Sequence, residues 1–284
     1  MGTITIKQNR AQSLGIKKYQ RISPLLEKCS LLICANNSYF RAEEDLEVLT
    51  GIRLPHSSLH RQVNQTTLAQ TISQQGVETM SVDGGKIKIR NEQGGEGEWR
   101  DYKAVSLDNG LCEAYFQENE KLQQWVNQQR LFSVVNCLGD GHSGIWNLMS
   151  GIIGEHRRRE ILDWYHLVEN VEKLKVSKKK KEEWKEKLWR GQADEIAQEL
   201  LVQKSKEVKK LGRYVKKHRS RIVEYDLYQQ LGIEIGSGSV ESKVKQIGNR
   251  VKIAGAQWKR ENVAQILRLR CAYLNGMLTT NIYA

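Results

Sequence analysis

Three acidic residues in glycine- and serine-rich surroundings hold most of the chemistry this sequence can offer. Asp83 stands in Ser81-Val-Asp83-Gly-Gly, Asp140 in Leu138-Gly-Asp140-Gly, and Glu241 in Ser237-Gly-Ser-Val-Glu241-Ser. Three clustered carboxylates repel one another unless cations lie among them, and their hard oxygens suit Mg²⁺ (or Mn²⁺). Two such ions about 4 Å apart would serve both the attacking and the leaving oxygen of an in-line phosphoryl displacement. Singly, each acid has a plainer reading. Asp83 and Asp140 beside glycines suit turns, and Glu241 suits the positive end of a helix.

The acids act together only if the chain brings them together. Residues 78–90 alternate apolar and polar around Gly84-Gly85, read as a turn beside Asp83, and residues 99–107 and 111–116 continue in strand style around Asp108-Asn109-Gly110. The pattern predicts three antiparallel strands. Helical spacing over 118–129 precedes an apolar run, 131–138, that suits a buried parallel strand ending at Asp140. A helix over 145–153, a short strand over 159–165 and a helix over 166–174 follow. The charged stretch from about 175 to 230 reads as an all-helical insertion. Ser239 is expected to cap a helix carrying Glu241 in its first turn, and a final helix covers 261–274. This order is that of an α/β, RNase H-like mixed sheet with flanking helices. In it the first and fourth strands are neighbours, so Asp83 and Asp140 become adjacent.

Ahead of the sheet, residues 1–20 read as a basic, mobile arm, and 22–34 as a buried helix after Pro24. Residues 38–51 suit a capped helix closed by Gly51, and 56–63 a second helix. Helix, tight turn, helix is the helix-turn-helix plan, with Ser57, Ser58, His60, Arg61 and Gln62 offered to a DNA groove; an ordinary helical hairpin gives the same pattern. The expected division is 1–75 for the arm and DNA-binding module and 76–284 for the catalytic domain.

The 284 residues, 39% of them hydrophobic, suffice for one sizeable core plus a small module. With 45 Lys+Arg against 33 Asp+Glu, the net charge is +12 and the pI about 9.4, which favours polyanionic partners. Five cysteines without C-x-x-C spacing argue against a zinc site and a disulfide framework. No apolar run approaches the roughly 20 residues of a membrane span. A soluble, cytoplasmic protein is expected, nucleoid-associated when DNA-bound.

The segments around Asp83, Asp140 and Glu241, with Glu98-Trp-Arg-Asp-Tyr-Lys103 and Ile161-Leu-Asp-Trp-Tyr-His166, together resemble the Kra-type family of insertion-sequence transposases, related to the Mutator-like DDE group. The resemblance runs from about residue 78 to the end. It implies a retroviral-integrase-like catalytic domain with Asp83, Asp140 and Glu241 as catalytic, metal-binding acids, and a helical insertion before the glutamate. Asp163 and His166 match the D-x-x-H signature of the wider group, which suggests support of the active site; a packed structural histidine is the equal alternative. Such transposases carry more chain ahead of the catalytic domain, often with zinc-type cysteines. The sequence starts close to the helix-turn-helix candidate, so a shortened copy is one reading.

The expected activity is metal-dependent cleavage at transposon ends and strand transfer into target DNA, with assembly as a homo-oligomer on double-stranded DNA. The rivals are a non-catalytic, inhibitory DNA-binding copy and a nuclease of the same fold that cuts without joining. Arg213, Lys216, Lys217, Arg219 and Arg221 are the expected phosphate contacts of the catalytic part.

Overall fold

The computed structural model describes Arg10 and residues 22–278; the rest of the expected basic arm lies outside the described residues. Helix α1 (Pro24–Cys34) starts with proline in its first turn and is capped by Ser23. Helix α2 (Tyr39–Thr50) is capped by Ser38 and closed by Gly51 at φ 68°, a left-handed conformation that glycine adopts without a Cβ penalty. Helix α3 (His56–Gln65) follows. The turn between α2 and α3 is fastened by Glu43, which accepts hydrogen bonds from the His56 N–H at 2.7 Å and from Arg53 Nε at 2.9 Å.

The sheet comprises β1 (Val77–Ile89), β2 (Glu98–Leu107), β3 (Cys112–Tyr115), β4 (Leu131–Gly139) and β5 (Arg158–Leu162), in the spatial order β3-β2-β1-β4-β5. β1, β2 and β3 are antiparallel, whereas β1, β4 and β5 are parallel. The fold is therefore mixed α/β. Helix α4 (Asn119–Asn127) links β3 to β4, and α5 (Ser143–Met149) leads from β4 to β5. After α6 (Trp164–Glu172) come the helices of the charged stretch: α7 (Lys178–Trp189), α8 (Ala193–Val202), α9 (Lys206–Lys217) and α10 (Tyr225–Gln230). Helices α11 (Gly238–Val251) and α12 (Arg260–Leu274) complete the described fold.

Two apolar clusters form the core. One joins Val82, Val105, Trp125, Val135 and Ile161 to Trp184, Leu200 and Val215 of the charged stretch. The other joins Ile87, Tyr102 and Ala104 to Val240, Ile247 and Val263, and also to Leu31, Leu46, Leu59 and Val63. The N-terminal helices thus share a core with α11, α12 and the sheet. Alternation along β2, with Ala104 in one cluster and Val105 in the other, is the period-two pattern of a strand covered on both faces.

Three local expectations are corrected. Gly84-Gly85 is no turn: β1 runs through it, with Gly84 opposite Lys103 and Gly85 opposite Tyr102. A Cβ at Gly85 would meet the buried Tyr102 ring at 2.2 Å, so the glycine makes room for the ring within a strand. The short strand expected over 159–165 ends at Leu162, because Asp163 caps α6 by accepting the His166 N–H at 2.8 Å. Ser237, and not Ser239, is the N-cap residue of α11. No helix among the described residues is long and apolar enough to cross a membrane.

Candidate active site

The register of the parallel strands aligns three aspartates. Val82 pairs with Gly139, and Gly139 with Leu162, so Asp83, Asp140 and Asp163 each follow the same row on β1, β4 and β5. Adjacent strands lie about 4.8 Å apart, which makes the three carboxylates successive neighbours across the sheet. Ser81 Oγ lies 2.8 Å from Ser239 Oγ, fixing the start of α11 against β1 two residues before Asp83. Glu241 stands in the first turn of that helix.

Each acid is held differently. Asp83 Oδ1 accepts the Gly84 N–H at 2.6 Å, and Asp140 Oδ1 accepts the His142 N–H at 2.8 Å. Glu241 Oε1 lies 3.4 Å from the Ser237 hydroxyl, a long contact. The second oxygen of each, Asp83 Oδ2, Asp140 Oδ2 and Glu241 Oε2, makes no hydrogen bond among the described residues. Burial raises the Asp83 pKa; the Gly84 N–H opposes this, the charges of Asp140 and Glu241 add to it, and His166 counteracts it. A cation among these oxygens would relieve that repulsion.

Asp163 is of another kind. It is fully buried, Oδ1 accepts the His166 N–H, and Oδ2 accepts both the N–H and the hydroxyl of Ser237. Burial works against its charge, but hydrogen bonds from His166 and Ser237 outweigh it and hold the carboxyl at about 2. His166 Nδ1 lies 3.5 Å from Asp163 Oδ1 and 3.7 Å from Glu241 Oε1. These are ion-pair distances without a directed hydrogen bond, since Nδ1 has no hydrogen-bond partner. The pairing with Asp163 raises the His166 pKa to about 9; burial opposes it, and the charges of Asp163, Glu241 and Asp140 add to it.

Among the described residues, Asp163, His166 and Glu241 are the one group of three potential ligands whose atoms all lie within 4.8 Å of one another; Asp83 and Asp140 do not join it. It nevertheless suits a hard cation poorly, because both Asp163 oxygens are already engaged by backbone and hydroxyl donors. Asp83, Asp140 and Glu241 each keep one oxygen without a hydrogen bond among the described residues. Asp163 and His166 join the starts of α6 and α11.

The charged helices after α6 contribute Tyr214 and His218, which sequence reasoning did not single out. Tyr214 of α9 covers the loop after β4 so closely that a Cβ on Gly141 would meet its ring at 2.2 Å. His218 is buried beside Trp146 and Tyr214, with ring centroids 6.3 and 4.8 Å away. Burial, then Arg221 and Lys217, bring its pKa down to about 4. Lys217 Nζ donates to Ser143 Oγ at 2.7 Å, at the start of α5. Only the Asp140-Gly141 sequence hinted at such a close approach.

The expected DNA contacts divide. Ser57 and Arg61 are exposed on α3, and Ser58 is half-buried. Arg213, Lys216, Lys217 and Arg219 are exposed on or beside α9. His60 is instead packed edge-on to Tyr39 at 5.1 Å and lies 3.2 Å from Asn262 Nδ2. Gln62 bonds Ser30 and the Glu27 carbonyl, so it braces the helices. Arg221 donates to Glu160 at 2.7 Å with its guanidinium 4.3 Å from the Trp146 ring centre. His60, Gln62 and Arg221 thus make protein contacts, as does Lys217 through Ser143.

The chain matches no protein-family model and no curated protein.

Proposed function

We propose that this chain is a metal-dependent DNA-processing enzyme of the DDE transposase class, built on an RNase H-like sheet, that cleaves DNA ends and joins them to target DNA. The observation that carries the reading is the row Val82–Gly139 of the parallel pairing, which makes Asp83 and Asp140 neighbours, with Glu241 coupled to them from α11. Asp83, Asp140 and Glu241 would hold divalent cations of the Mg²⁺ or Mn²⁺ kind through their uncommitted oxygens. When bound, two such cations supply activation of the attacking oxygen and stabilisation of the leaving oxygen.

The chain's own residues supply orientation. The Gly84 and His142 N–H groups each fix one oxygen of their carboxylate, leaving the other free to turn toward a ligand. Asp163 and Ser237 lock the start of α11, and so fix the height of Glu241 above the sheet. The exposed cations of α9, on the helix that packs over Gly141, would hold phosphates near the acids. The net charge of +12 supports a polyanionic substrate.

The test is a strand-transfer assay using linear DNA with the flanking terminal repeats, a supercoiled target and Mg²⁺. Joined product is expected with Mg²⁺ or Mn²⁺ and none with Ca²⁺, whose looser coordination positions the reacting oxygens poorly. Cutting without any joining would instead make the chain a nuclease.

A further inference from the structure

A cavity of about 570 Å³ opens between the starts of α2 and α12, helix α3 and the end of β1, and none of the acids described above lines it. Its volume falls within the roughly 300–1,000 Å³ of small-molecule sites. One wall is Arg250, which is 2% exposed. Its Nε donates to the Cys34 carbonyl at 2.7 Å, and its guanidinium lies 5.3 and 5.0 Å from the ring centres of Tyr39 and Trp258. Nη2 is buried and has no hydrogen-bond partner. A buried cation with an unmade hydrogen bond is costly, and burial lowers the Arg250 pKa; Tyr39 and Cys34 oppose this and Arg270 adds to it. An anion at this wall would offset the buried charge.

Further features favour negative charge here. Helix α12, 15 residues long, begins at the cavity without any side-chain cap; the Asn262 N–H donates to the Lys259 carbonyl at 3.0 Å, which leaves the Arg260 and Glu261 N–H groups at its positive end. Its N-cap residue is Lys259, a cation at the positive end of the helix dipole that Glu261 in the first turn offsets in part. Arg90 is exposed at the rim and makes no side-chain hydrogen bond or ion pair among the described residues. Glu261, the acid in the lining, lies 3.8 Å from Lys259 Nζ. Asn262, Gln257 and His60 add polar groups, and burial, then Lys259, lowers the His60 pKa.

We propose that this cavity is a nucleotide-phosphate site: Arg250, Arg90 and the start of α12 take the phosphate, while sugar and base fill the remaining space toward Asn262 and Gln257. A lone phosphate would leave most of the volume empty. Two sources share this chemistry, a free mononucleotide and the 5′-phosphorylated end of a DNA strand. The inference does not depend on the carboxylate site.

Isothermal titration of the full chain without divalent metal tests it, using AMP, adenosine, inorganic phosphate, and a short single-stranded oligonucleotide with or without a 5′-phosphate. AMP is expected to bind at least about tenfold more tightly than adenosine or phosphate alone. Arg90→Ala should weaken AMP about tenfold with an unchanged melting temperature, since the Arg90 side chain makes no hydrogen bond or ion pair among the described residues; Arg250→Lys, which risks the fold, is the second variant. Displacement of AMP by only the phosphorylated oligonucleotide assigns the site to strand ends. AMP binding undisturbed by either oligonucleotide assigns it to free nucleotides. Absence of AMP binding, equal affinity for adenosine or for phosphate alone, or indifference to Arg90→Ala would overturn the proposal.

Discussion

Ser237 donates both its backbone N–H and its hydroxyl to Oδ2 of Asp163, 74 residues earlier in the chain, at 2.5 and 2.6 Å. Oδ1 of the same carboxylate caps α6. One buried group therefore fastens the helix carrying His166 to the helix carrying Glu241.

The pH dependence of folding should report this. The Asp163 pKa is depressed from 3.8 to about 2, so its contribution is fully present above the unfolded value and is lost as pH falls through about 2. The shift corresponds to roughly 2 kcal/mol. Asp163→Asn should lose at least about that much in urea unfolding at pH 7, with the gap to wild type narrowing as pH falls below about 4. A gap that does not depend on pH would mean the charge of Asp163 is not what the hydrogen bonds stabilise.

Packing of α9 onto the Asp140 loop is testable at Gly141. Adding a Cβ there puts it 2.2 Å from the Tyr214 ring, so Gly141→Ala should destabilise by about 1–3 kcal/mol and reduce cleavage by displacing Asp140. Tyr214→Ala removes the obstacle. In the double variant the cost of Gly141→Ala should largely disappear, a coupling that thermal unfolding of the four proteins measures.

Sequence preference and phosphate affinity should separate between α3 and α9. Deleting residues 1–70 cannot show this, because Leu31, Leu46, Leu59 and Val63 belong to the core shared with α11 and α12. Point variants can. Arg61→Ala should reduce discrimination between terminal-repeat and random DNA. Arg213→Ala with Lys216→Ala should weaken binding to both DNAs alike and lessen the salt slope by about 2. Equal losses on both DNAs for Arg61→Ala would make α2 and α3 an ordinary hairpin.

The elements that position the acids were largely legible in the sequence, because they depend on short-range pattern. The apolar run of β4 ending at Asp140, the alternation of β1 and the charged helices after α6 all appear where their periodicity placed them. The errors have one physical cause. Gly84-Gly85 looks like a turn until Tyr102 on the neighbouring strand is seen to need the space. Ser239 looks like a helix cap until Ser81 is seen to claim its hydroxyl. His60 and Arg221 look like free polar side chains until Asn262, Tyr39, Glu160 and Trp146 occupy them. Each depends on a partner distant in sequence, and residue type alone carries no record of it.

The most direct measurement is Mg²⁺-dependent cleavage of terminal-repeat DNA by Asp83→Asn, Asp140→Asn and Glu241→Gln, each compared with wild type at matched DNA occupancy. Each substitution keeps side-chain volume and removes a charged ligand. Cleavage is expected to fall by at least about a thousandfold in all three, the scale of losing an electrostatic contribution at the reacting centre, with DNA affinity nearly unchanged. Wild-type cleavage by any one of them would remove that residue from the site, and wild-type cleavage by both aspartate variants would contradict the assignment of the β1–β4 pair as the catalytic centre.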